Sequence, residues 1–240
     1  MSVGVRSMRL SVGRPRPVQW VSLMTSLWLL GSWTVVLVRD SPQPASRWML
    51  GAMAAWLWLV WPVWRLSVEG AGDGGPRTVR GGVAWSALIE WACVGLVLQA
   101  AIWPLRALGD WGTELTLWLD AWVLGWGLWG AAWVAWSGVA WEERKWGRWA
   151  GTIAAGGWLV VMFGAGAVSG VSGWGLPMWL NPWGGLGAAI RVNLGDQASR
   201  LPEGMWAAAL AVGVSALLAW AAAALAQRRA GGSRRGAAGA

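Results

Sequence analysis

Two acids stand inside otherwise apolar stretches of this chain. They are the residues whose type and placement could do chemistry: Glu90 in the block Val83–Trp103, and Asp120 in the block Leu115–Val139. A carboxylate within a bilayer can take up a proton or pair with a cation in transit. It can also hydrogen-bond a neighbouring helix, or sit where water reaches it. An ionised acid at midplane costs roughly 2.5–3.5 kcal/mol on insertion scales, so it turns toward protein or water. Asp120 falls about five residues from the outer end of its block and Glu90 about seven from the inner end of its own, at 1.5 Å of rise per residue. The two therefore need not share a depth. Ion or proton coupling, helix packing and interfacial hydration all remain open for them.

Other reactive chemistry is sparse. The chain has no histidine and one cysteine, Cys93, inside an apolar block. These exclude bis-histidine haem, histidine-based metal sites, Ser-His and Cys-His nucleophile pairs, and an intrachain disulfide. No G-x-x-x-x-G-K-[ST] occurs, so the chain by itself is not a P-loop ATPase. An enzyme here would have to work with acids, serines and arginines alone, and neither an enzymatic role nor a cofactor is expected.

The elements that would position the two acids follow from composition. Hydrophobic residues make up 56% of the 240 and charged residues 12%, against about 25% charged in an ordinary soluble domain. The apolar residues fall into six long blocks, near 20–38, 48–64, 83–103, 115–139, 149–171 and 205–226. Each reads as a transmembrane helix of roughly 20 residues. The first follows Arg6, Arg9, Arg14 and Arg16, as a signal peptide would. At about 19 residues it exceeds the 7–15 of a signal core, and an uncleaved helix is expected. Pro62 falls near the end of the second block, where it can kink the helix or begin its unwinding.

There are 27 tryptophans, 36 glycines, one phenylalanine and no tyrosine, the signature of GC-rich coding. Tryptophan suits the headgroup level, but Trp56, Trp126 and Trp158 lie deeper and read as packing residues. In the fifth block Gly166 and Gly170 are spaced for close helix approach. In the sixth, Ala207, Ala211, Ser215, Ala219 and Ala223 form a ladder four residues apart that could receive another helix.

The formal charge of +8 does not point to nucleic acid, because the bases cluster beside the spans. Six spans place the N-terminal segment, the loops after the second and fourth spans and the C-terminal segment on one side. Fourteen of the 19 bases lie in those segments, which makes that side cytoplasmic. The expected fold is thus an all-α polytopic membrane protein in the cytoplasmic (inner) membrane. It has a basic N-terminus (1–19), a six-helix transmembrane region (20–226) and a basic flexible tail (227–240). The loop after the fourth span carries Glu142, Glu143, Arg144 and Lys145. It reads as a solvated loop helix or as a docking surface for a cytoplasmic partner.

The longest non-spanning region, 172–203, interleaves Trp174, Leu176, Trp179 and Trp183 with Pro177, Asn181 and Pro182. Such a segment can lie in the interface or dip into the bundle as a re-entrant element before the last helix. Its stretch Leu176-Pro177-Met178-Trp179-Leu180-Asn181-Pro182-Trp183 resembles the L-P-x-W…N-P-hydrophobic stretch that precedes the final helix in permease subunits of the ABC-2 type. There a small-rich span and a basic tail follow; here Met205–Ala226 and Arg228-Arg229 fill those places. The family's first cytoplasmic loop usually carries an E-R-E-x-G-T coupling element, where this chain has Val68-Glu69-Gly70-Ala71-Gly72-Asp73. The resemblance implies a pair of permeases, homo- or heterodimeric, served by a separate cytoplasmic nucleotide-binding (ATPase) subunit and exporting a lipophilic or polymeric substrate. Pro177, Asn181 and Pro182 would shape the external element. The alternatives are an accessory subunit of a membrane complex and an ion- or proton-coupled carrier.

Overall fold

In the computed structural model the described residues are 17–38, 42–70, 82–109, 111–143, 149–171, 182–192 and 204–238. They are helical almost throughout, with no strand among them. The helices are α1 (Pro17–Leu37), α2 (Pro42–Ala55), α3 (Trp61–Gly70), α4 (Val83–Gly109), α5 (Thr113–Glu143), α6 (Trp149–Val171), α7 (Pro182–Val192) and α8 (Met205–Ala238). A π-helical turn, Trp56–Val60, joins α2 to α3 without a break, so 42–70 forms one rod.

Among the described residues, three helical stretches are long and apolar enough to cross a membrane: Ala45–Ser67, Val83–Leu108 and Met205–Arg229. The surface agrees with them. Leu96 is 72% exposed and Val160 69%, and large apolar side chains such as Leu30, Phe163, Leu210 and Leu218 also face outward. A water-soluble protein of this size does not display apolar side chains on so many helices. The chain is a membrane-embedded helical protein.

α5 is the hub, packing against α3, α4, α6, α7, α8 and the π turn. Small residues on it let neighbours approach. Gly138 receives Val83, whose Cβ lies 2.9 Å from where a Gly138 side chain would begin, and Gly125 receives Val212. The core beside it is large and aromatic: Trp58, Trp61, Trp118, Trp122 and Trp158 are all almost wholly buried. Trp118 and Trp122 stack at 5.2 Å, and Trp122 meets Trp126 edge-on at 6.0 Å.

Proline shapes two helices without ending either. Pro62 does not begin an unwinding, because helix continues to Gly70. The adjustment is made just before it, where the Trp61 N–H reaches back five residues to the Trp56 carbonyl. Proline offers no N–H to the carbonyl four residues earlier, that of Trp58. The indole N–H of Trp158 on α6 donates to that carbonyl instead. Pro104 likewise lies inside α4, which runs on to Gly109.

Only the last part of the small-residue ladder of the last helix packs within the bundle. Ala207, Ala211 and Ser215 are exposed, while Met205, Ala209, Val212, Ala216, Trp220 and Ala223 are buried. A spacing of four drifts around a helix of 3.6 residues per turn, whereas steps of three and four hold one face. α8 also continues through residues 227–238, past the end of the apolar block.

Candidate functional site: the polar groups inside the bundle

Glu90 is fully buried, and its partner is an arginine from another helix. Arg65, on α3, places Nε 3.0 Å from Glu90 Oε2 as an ion pair without the alignment of a hydrogen bond. Ser86 lies one turn before Glu90 on α4. Its hydroxyl donates to Glu90 Oε1 at 2.9 Å and accepts from Arg65 Nη2 at 3.0 Å. The serine thus relays between the two charges, and the i, i+4 spacing on α4 sets it there. Arg65, just past the second apolar block, thus reaches back into the bundle.

The same end of α4 is held by the last helix. Gln227 Oε1 accepts from the Ala84 N–H at 3.1 Å, and Gln227 Nε2 donates to the Ala135 carbonyl of α5 at 3.2 Å. Trp220 Nε1 donates to the Ala84 carbonyl at 2.8 Å. Gly82 precedes α4 with φ +89, a left-handed conformation natural only to glycine, and a Cβ there would stand 2.8 Å from Gln227 Oε1. The first N–H groups of a helix have no partner of their own, and the Gln227 carbonyl supplies one from a distant segment.

Asp120 is in a different setting. It is partly exposed on α5, and its Oδ1 accepts from Gln99 Nε2 of α4. Gln99 Oε1 in turn accepts from the indole N–H of Trp103 at 2.9 Å. The two acids are not brought together: each has its own polar partners from a neighbouring helix.

No protein-family model, curated protein or solved structure matches this chain.

The other expected site residues fall as follows. Pro182 opens α7, and its carbonyl accepts from the indole of fully buried Trp122 at 3.1 Å. Trp183 meets Trp58 edge-on at 5.1 Å and stacks with Phe163 at 6.3 Å. The segment before the last helix therefore contributes a short helix packed on α5 and α6. Pro177 and Asn181 lie outside the described residues, as do Arg144 and Lys145. Glu142 and Glu143 end α5, and their side chains also lie outside them. Among the described residues, no three of Asp, Glu and Cys stand together as a metal site.

Beyond Arg65, Ser86 and Gln227, the sequence reading missed a set of indole bridges. Trp28, Trp58, Trp133 and Trp136 each donate to a backbone carbonyl of another helix, at 2.9–3.0 Å. Trp56, expected as a packing residue, also donates to Thr25 Oγ1 at 2.9 Å. Two indoles differ: Nε1 of Trp61 and of Trp126 is buried with no hydrogen-bond partner among the described residues. Tryptophan is a donor only, so it can tie to any carbonyl that a neighbouring helix leaves accessible.

Proposed function

We propose that the chain is the membrane-spanning permease subunit of an ATP-driven exporter of the ABC type. In this reading it crosses the cytoplasmic membrane six times with both ends inside, and works as one of a pair of permeases with a separate ATPase subunit. The observation that carries the proposal is α7. A short helix lies between the fifth and last long helices, fixed by Trp122 through the Pro182 carbonyl and by Trp58 through Trp183. It begins at Pro182, at the end of the stretch Leu176–Trp183 that carries the resemblance, and precedes the last long helix in the chain. Six helical rods support the count: α1, the 42–70 rod, α4, α5, α6 and α8 each have at least 21 residues. That length covers a hydrocarbon core of about 30 Å.

The test is biochemical. Affinity purification of the tagged chain from its native membrane should bring down an ATPase subunit, and reconstitution of the two should stimulate ATP hydrolysis over the ATPase alone. A stable native complex that contains no nucleotide-binding subunit would sink the proposal.

One observation favours a second reading, an accessory subunit of a membrane complex. Glu90, fully buried, is paired with Arg65 inside the helix packing. A native complex lacking an ATPase would support it.

A further inference from the structure

We propose that Arg65, Ser86, Glu90 and Gln227 form a releasable latch that holds α3 and α8 against the start of α4. That a cytoplasmic partner opens the latch rests on the permease reading.

Three features distinguish a latch from a permanent strut. The first is the asymmetry of the charged pair. Glu90 is fully buried, while Arg65 is 13% exposed and lies five residues before the end of α3. A long arginine side chain can withdraw to the hydrated layer at a helix end, whereas a carboxylate two turns into α4 has no such exit. The pair can part by movement of one side chain. Second, a buried ion pair is a poor choice for rigidity alone, since apolar residues of the same volume hold as well or better.

The third feature is where the ties attach. Gln227 satisfies the Ala84 N–H, in the first turn of α4, which has no partner within its own helix. Water can replace that bond without breaking any helical hydrogen bond. Gly82 next to it, with its left-handed φ, ends the chain entering α4 with a glycine turn and not with a further turn of helix. Toward its opposite end α4 is tied to α5 instead, through Gln99 and Asp120. There the Arg106 Nε donates to the Trp111 carbonyl, and the Trp111 N–H donates to the Arg106 carbonyl, closing a short turn within the chain itself. That turn keeps α4 and α5 joined, so release of the latch would separate the helices at the 82–90 end only.

Cys93 supplies a native reporter. It is the only thiol of the chain, one turn past Glu90 on α4 and half-buried. Its reaction with a water-soluble maleimide needs a thiolate, hence water at that depth. The full-length protein in nanodiscs would be labelled under fixed conditions. With the latch weakened, E90Q and R65Q should label at least about ten-fold faster than the parent, the change expected when an opening equilibrium moves by about 1.4 kcal/mol or more. The charge-exchanged R65E/E90R chain should return to within about two-fold of the parent rate, because the pair is restored with its sign reversed. Q227A should give a smaller rise and serves if the charge variants fold poorly.

W158F, which removes a cross-helix bond remote from these residues, should leave the rate unchanged. Labelling of E90Q, R65Q and Q227A at the parent rate overturns the latch. So does an equal acceleration in W158F, which would show general loosening. Neither result depends on an ATPase partner, so the latch and the permease reading can fail separately.

Discussion

Glu90 and Asp120 stand on neighbouring helices, α4 and α5, in blocks that look alike in sequence, yet the bundle treats them differently. Glu90 is fully buried, with a cation from α3 at 3.0 Å and a serine between them. Asp120 is partly exposed and has a neutral amide for its partner, itself tied to a partly exposed indole. Burial is tolerated where a counter-charge and a hydrogen-bonding relay replace the hydration that is lost. Where only an amide is supplied, the carboxylate stays toward the surface. A single acid in an apolar block is thus ambiguous until the helix beside it is known.

The largest effect should come from breaking the Glu90 side of that contrast. R65Q leaves a buried carboxylate without its cation and should cost about 3–5 kcal/mol. The R65Q/E90Q double variant removes both charges and should recover more than half of the loss. Unfolding in mixed micelles, followed by tryptophan fluorescence, measures both. A double variant no more stable than R65Q would mean that the charges are not energetically paired, and the contrast with Asp120 would reduce to depth alone.

Much of the architecture could be read from the alternation of apolar blocks with basic segments, because helices are the only economical way to satisfy the backbone in an apolar surround. The helices overrun those blocks, as at Pro42–Arg47 and beyond residue 226, because helical hydrogen bonding does not stop where apolar composition does. Glu90 and Asp120 were visible as acids within apolar blocks. Arg65 as a partner was not, since it lies on a different helix and a single sequence carries no pairing information. Ser86 four residues before Glu90 was a usable signal of a shared face. So were Trp183, Leu186 and Ile190, whose helical spacing marks α7. The indole bridges were not legible at all: with 27 tryptophans, composition does not say which N–H meets a carbonyl.

A neutral cross-helix bond should fall between the two acids in effect. W158F keeps an aromatic ring but withdraws the donor from the Trp58 carbonyl, which Pro62 has left without its helical N–H. Cross-helix hydrogen bonds in membrane bundles average about 0.6 kcal/mol with a ceiling near 1.7, and W158F should lie toward that ceiling. The same unfolding assay reads it. A loss below about 0.3 kcal/mol would show that another donor or a local helix adjustment satisfies the carbonyl.

D120N should have the smallest effect on stability, within about 0.5 kcal/mol, as for other partly exposed positions. The asparagine carbonyl can still accept from Gln99, so the only thing removed is the charge. A loss above about 2 kcal/mol would mean that the carboxylate itself is used to hold α4 to α5, and the difference from Glu90 would be one of degree. Because D120N is expected to be structurally quiet, it isolates the remaining functional question cleanly. If the bundle carries an ion or proton, D120N should alter the pH dependence of uptake with folding intact, whereas E90Q would change uptake and stability together. Unchanged uptake in D120N, with E90Q acting only through the Cys93 labelling rate, would remove coupled transport and leave the two acids with unequal structural roles.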